Sequence, residues 1–170
     1  MTSTTNNITS KSLHSATTII DVSASTAPTS GQVLTATSST TATWQTITIT
    51  NYEATATAST STTSSTYQVI NSMTLTPASG TYLVTFSSSA DGSSGTGQYD
   101  YSIFLGGTEQ THSTRNLLYT AGTHVAGARL TMHSQAIVTA NGSQAIDVRF
   151  KASSGTFNVY ARNMYLIKLA

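Results

Sequence analysis

Apolar residues over the second half of the chain recur at every other position, with polar residues between them. In residues 81–86, Tyr82, Val84 and Phe86 share one side. A two-residue period is that of a strand with one face buried, because successive side chains point to opposite faces of a pleated backbone. Residues 67–76 read as the preceding strand, and Pro77-Ala78-Ser79-Gly80 as the turn between them. Residues 91–97, Asp-Gly-Ser-Ser-Gly-Thr-Gly, read as a flexible loop. Tyr99, Tyr101, Ile103 and Leu105 then alternate with Asp100, Ser102 and Phe104, and Gly106-Gly107 closes the strand. That alternation assigns Tyr99 and Tyr101 to a core face, not to a platform for stacking on a sugar. Leu130, Met132, Ala136 and Val138 share a face, and Asn141-Gly142 is a strong hairpin signal. Ile146, Val148 and Phe150 alternate with Asp147, Arg149 and Lys151; Ser153-Ser154-Gly155 turns the chain into Phe157, Val159 and Ala161. The last run, residues 163–169, shows no alternation, which suggests a strand buried on both faces at a subunit contact.

Strands at this spacing, without a helical period, predict an all-β fold: an antiparallel β-sandwich (jelly roll) over residues 51–170. Its expected core includes Tyr82, Val84, Phe86, Ile103, Val148, Phe150 and Val159. Periodicity does not fix the order of strands in the sheets.

Residues 1–50 differ. They hold two charges, Lys11 and Asp21, and few large apolar residues: Ile8, Leu13, Ile19, Ile20, Val22, Val33, Leu34, Trp44, Ile47 and Ile49. This is too little to close an independent core, so the segment reads as an extended polar N-terminal arm and linker. Residues 17–22 and 46–50 read as short strands and residues 27–31 as a turn.

Composition narrows the function. More than a third of the 170 residues are Thr or Ser, and only 8% are charged. β-Branched Thr favours strands, and the hydroxyls hydrate a surface without charge. The net charge of +1 comes from scattered basic residues, which gives no footprint for nucleic acid. With no cysteine, thiolate chemistry, disulfides and Cys-bound zinc are excluded. No apolar run is long enough to span a membrane as a helix, and the first residues lack the pattern of a secretory signal.

Candidate chemistry is sparse. His14, His112, His124 and His133 fall at no metal-binding spacing, although one histidine from each subunit could meet on a three-fold axis; surface hydrogen bonding is the plainer reading. Asp91 lies in a Gly-rich stretch without neighbouring acids, which argues for a solvated loop over a calcium site. Neither a nucleophile elbow nor the Lys of a phosphate-binding loop is present, and no carboxylate pair suggests glycoside hydrolysis. The expectation is a protein without enzymatic activity and without a cofactor or bound metal.

Two segments carry a resemblance. Residues 73–87, with Ser79-Gly80-Thr81-Tyr82 leading into a core strand, and the C-terminal residues 145–150 and 162–169 resemble the trimeric jelly rolls of the tumour-necrosis-factor and complement globular-head type. The resemblance implies a homotrimer with the last strand near the three-fold axis, and thereby Met164, Leu166, Ile167 and Leu169 as trimer-interface residues. Residues 28–37 and 42–45, Pro-Thr-Ser-Gly-Gln-Val-Leu-Thr-Ala-Thr and Ala-Thr-Trp-Gln, are similar to a segment of phage tail fibres, head fibres and virion decoration proteins that precedes a C-terminal trimeric module. This implies a structural protein on the outer surface of a virion, a capsid decoration, cement or head-fibre protein. Its arm would anchor it to the major capsid protein or another virion protein through Ile19, Ile20, Val22, Val33, Leu34 and Trp44. The alternative is the receptor-binding tip of a tail fibre that recognises a host surface glycan.

Overall fold

In the computed structural model, residues 12–14, 19–21, 29–93, 96–120 and 128–170 are described. The chain forms two compact units, residues 1–48 and 49–170.

The first unit consists of two antiparallel hairpins. β1 (Ser12–His14) pairs with β2 (Ile19–Asp21), and β3 (Gln32–Ala36) pairs with β4 (Ala42–Thr46). The expected strand at 17–22 is present as β2. The one expected at 46–50 is not: Thr46 ends β4, and residues 47–50 have no regular structure. The alternation of Thr and Ile there fits a strand, but no neighbouring strand pairs with it.

The second unit is a sandwich of two antiparallel sheets. Its strands are β5 (Asn51–Ala56), β6 (Thr60–Thr62), β7 (Gln68–Leu75), β8 (Gly80–Gly92), β9 (Gly97–Leu105), β10 (Thr108–Glu109), β11 (Arg115–Tyr119), β12 (Leu130–Ala140), β13 (Ile146–Ala152) and β14 (Phe157–Lys168). One sheet runs β12-β8-β14-β5, with β6 also on β14; the other runs β10-β9-β13-β7, with β11 also on β9. The pairs are nested: β5 with β14, β7 with β13, β8 with β12, and β9 with β11. The chain thus folds as a long antiparallel ribbon wound over two sheets, which is the jelly roll. A single 3-10 turn, Thr111–Ser113, is the sole helical element among the described residues.

All seven expected core residues are buried between the sheets. Their aromatic neighbours form a run in which Tyr119 packs on Tyr99 (5.5 Å between ring centroids), Tyr99 on Phe157 (5.4 Å) and Phe157 on Phe150 (5.8 Å). Such offset and edge contacts add to the burial of apolar area.

Four local expectations are corrected. Asp91 and Gly92 belong to β8 and Gly97 opens β9, so the loop is shorter than 91–97. Asn141-Gly142 is not a hairpin, because β12 pairs with β8 while β13 pairs with β7 and β9. Gly142 does take a positive φ of 94°, and Asn141 Oδ1 accepts from the amides of Ser143 and Gln144, but this turn carries the chain from one sheet to the other. Leu130, at the start of β12, is exposed.

The fourth concerns β14. It is not buried on both faces. A bulge opposes two residues of β14, Tyr160 and Ala161, to one of β8, Ser89: Val159 pairs with Ala90, and Arg162 with Ser88. One extra residue reverses which side chains face inward. Before the bulge Phe157 and Val159 point into the core; after it Arg162, Met164 and Leu166 do, leaving Ala161 and Ile167 exposed. Within residues 163–169 the inward Met164 and Leu166 do alternate with Tyr165 and Ile167, but these outward residues are themselves apolar or aromatic and hide the period.

Candidate partner-binding face

The outer surfaces of the two sheets have opposite characters. On the β10-β9-β13-β7 sheet, charged and aromatic groups saturate one another. Arg149 Nε donates to Asp147 Oδ1 (2.6 Å), and its guanidinium lies 4.5 Å from the centre of the Phe104 ring. Lys151 Nζ is 3.5 Å from Asp100 Oδ2 and 4.5 Å from the centre of the Tyr67 ring. Tyr67 stands edge-on to Phe104 at 5.1 Å. Burial, then the adjoining Glu109, holds the Tyr67 hydroxyl well above its usual range. Asp100, Ser102 and Phe104, expected to face solvent, are buried beneath this layer.

Away from its Asp91–Tyr160 end, the outer face of the other sheet is bare. Strand register lays out three rows across β5, β14, β8 and β12: Asn51-Ile167-Leu83-Ile137, Glu53-Tyr165-Thr85-Gln135, and Thr55-Asn163-Ser87-His133. Glu53 is the single acid in these rows, and neither Lys nor Arg occurs in them. Its carboxylate accepts a hydrogen bond from Tyr165 and raises that residue's pKa. Ile137 is 61% exposed and Ile167 39%. Beside the apolar row, Leu83, Gln135, Ala136, Ile137 and His112 line a cleft of about 300 Å³. Over the β14 bulge, a second depression of about 290 Å³ is lined by Thr55, Ser87, Ser89, Thr131 and Asn163, among others.

The expected interface residues divide. Met164 and Leu166 are wholly buried in the core of their own subunit, so their side chains have no surface to offer. This corrects their assignment to a trimer interface, and the parity change at the bulge is the reason. Ile167 and Leu169 are exposed. The apolar partners of Ile167 on this face, Leu83 and Ile137, were missed by sequence reasoning. The signal was there: once Ala136 and Val138 face the core, Ile137 between them must face outward.

In the first unit, Ile19 and Ile20 lie in β2, paired with His14 and Leu13, whereas Val22 lies outside the described residues. Leu34 and Trp44 are cross-strand partners in the β3–β4 hairpin, both half-buried. Val33, on the opposite face of its strand, is 40% exposed.

Asp91 is buried, and its carboxylate accepts from Asn158 Nδ2 (2.7 Å) and the Tyr160 hydroxyl (2.8 Å); Arg129 stacks 3.7 Å above the Tyr160 ring. His112 and His133 are exposed, and His124 lies outside the described residues. Among the described residues, no three His, Asp or Glu side chains come together as metal ligands.

No protein-family model matches the chain, and no curated protein matches it in sequence. Solved structures do resemble it. The Eiger TNF of S. frugiperda aligns at 12% identity over 71% of this chain and 93% of its own, with a TM-score of 0.47. VP2 of the infectious bursal disease virus subviral particle aligns at 13% identity over 71% of this chain, with a TM-score of 0.47, and the match spans about a third (32%) of VP2. The sugar-binding C-terminal domain of EclA aligns at 17% identity over 64% of this chain and 78% of its own, with a TM-score of 0.41. The jelly-roll assignment rests on the nested strand pairing itself.

Proposed function

We propose that this chain is a non-enzymatic structural protein of a virion, a capsid decoration, cement or head-fibre protein. Its N-terminal unit attaches to the major capsid protein or another virion protein, and its jelly roll is displayed on the outer surface as a homotrimer. The observation that carries the reading is the contrast between the two faces of the sandwich. One satisfies its charges within the subunit; the other leaves Ile167, Leu83 and Ile137 in an uncharged, partly exposed row. Apolar surface of this kind associates with similar surface, and identical subunits pair such patches by closed symmetry. The small β3–β4 hairpin, with Val33 exposed and Leu34 against Trp44, supports an anchoring role: the arm has too few apolar residues to order itself and gains from a partner surface.

A truncation starting at residue 47 tests both halves. It should fold and remain trimeric by sedimentation, yet fail to bind particles that lack the native protein. If the truncated chain decorates particles as well as the complete one, the anchor assignment is wrong. A monomeric complete chain at micromolar concentration would remove the trimer.

A further inference from the structure

A sheet edge exposes a row of unpaired backbone groups, and proteins blunt such edges by bulges, short strands, charge or proline. Three of the four edges of this sandwich are blunted. β5 and β6 are separated by a break at residues 57–59. β7 changes register against β13 and contains Ser72 at φ 68°. β10 and β11 are interrupted by the 3-10 turn. The fourth edge, β12, is different. It runs 11 residues in unbroken register with β8, and its sequence Leu-Thr-Met-His-Ser-Gln-Ala-Ile-Val-Thr-Ala has no Pro, Lys, Arg, Asp or Glu.

The direction of its free groups follows from the register. The amide and carbonyl of Thr81 bond the C-terminal end of the chain, at Ala170 and Leu169, so odd-numbered residues of β8 turn toward β14 and even-numbered ones toward β12. In β12, therefore, the even residues bond β8 and the odd residues turn their backbone groups outward. The His133 carbonyl accepts from the Tyr101 hydroxyl at 2.8 Å; Gln135, Ile137 and Thr139 have no backbone partner among the described residues. The side chains of these odd residues lie on the bare outer face.

A second unpaired strand-former sits elsewhere in the chain. Ile47, Thr48 and Ile49 have no backbone partner among the described residues, and Ile47 and Ile49 are 67% and 69% exposed. In an extended segment two such residues lie on one face. Thr50 O accepts from Lys168 N at the β5 side of the sheet, the opposite edge from β12. The two complementary features can meet between copies.

We propose that Ile47-Thr48-Ile49 of one subunit adds as an antiparallel strand to the free edge of β12 in the next, with Ile49 or Ile47 opposite Ile137. The inference rests on the homotrimer reading and names its contact. The added strand prolongs the row Ile167-Leu83-Ile137 by one isoleucine, beside the cleft lined by Leu83 and His112. Contact between two different patches is head-to-tail, and such contacts close into a ring when the rotation permits.

The natural chain has no cysteine, which allows a direct test. Hydrogen-bonded antiparallel partners lie about 5.5 Å apart at Cα, within disulfide range. Full-length Ile49→Cys/Ile137→Cys and Ile47→Cys/Ile137→Cys variants, oxidised with copper phenanthroline, should give a covalent ladder ending at trimer on a denaturing gel in at least one of the two. The three single-site controls should not pass dimer. If sedimentation shows trimers but both double variants run only as monomers, with thiols free or joined within one chain, the strand-addition contact is wrong and the trimer stands. If sedimentation shows monomers, the trimer fails as well.

Discussion

Phe150 and Tyr101 show how single side chains couple to stability. Phe150 is sealed between the sheets with its ring on Phe157. Replacing it by Ala leaves a cavity as well as lost burial, so Phe150→Ala should lower stability by about 3–5 kcal/mol, read from the shift in urea midpoint at constant slope. Tyr101 donates its hydroxyl to the His133 carbonyl, and burial pushes its pKa up to about 12, against a lowering influence from Arg115 and that hydrogen bond. A phenol whose folded pKa lies above its unfolded value of about 10 favours folding fully at lower pH, and loses that contribution as pH rises from about 10 to 12. The urea midpoint should therefore fall over this window. Tyr101→Phe should shrink the fall, although Tyr67, whose pKa is also raised, keeps part of it. Both residues were legible as core positions from alternation alone. The covering of the other face of β9 was not, because Asp100, Ser102 and Phe104 are buried by Tyr67, Lys151, Arg149 and the 3-10 turn, which come from distant parts of the chain.

At the scale of elements, β14 and β7 are joined by Arg162. The bulge turns this arginine inward, and it meets β7 where that strand loses register. Its Nε and Nη2 donate to Asn71 O at 3.0 and 2.8 Å, and its Nη1 donates to Ala58 O at 2.7 Å and Tyr160 O at 3.0 Å. Carbonyls left unpaired by irregular strands are thereby satisfied by one planar fork. Arg162→Ala would strand them in a buried setting and should cost about 3 kcal/mol, since hydrogen bonds to a charged group contribute about 1.5–3 kcal/mol. Arg162→Lys should recover only part of it, because an ammonium cannot span the same acceptors. Chemical denaturation of the two variants side by side checks the order. Ser88, paired with Arg162 across the bulge, keeps a buried hydroxyl without a partner, which marks this region as the least satisfied part of the core among the described residues.

For the whole molecule, the prediction is one of assembly. The face carrying Ile167, Leu83 and Ile137 should be covered in solution, so Ile137→Lys should shift the complete chain from trimer toward monomer, with at least a tenfold rise in the dissociation constant by sedimentation. The same substitution should leave the thermal midpoint of the isolated subunit nearly unchanged, because position 137 is mostly exposed in the fold. Attachment through the N-terminal unit should survive moderate salt, since that unit carries only Lys11 and Asp21 as charged side chains.

What the chain's own pattern determined was the local geometry: strands at 67–76, 81–86, 99–105 and 146–151, and the inward placing of Tyr82, Val84, Phe86, Ile103, Val148, Phe150 and Val159. A pleated backbone imposes its two-residue period whatever the partner strand, so alternation can be read without knowing the fold. Tertiary structure decided three further things: that Asn141-Gly142 joins two sheets instead of two neighbouring strands, that a bulge swaps the faces of β14 and takes Met164 and Leu166 into the core, and that one outer face is sealed while the other stays bare. Each depends on which distant strand supplies the next hydrogen bonds. A bulge one residue long reverses every side chain beyond it, and nothing within residues 163–169 records its presence.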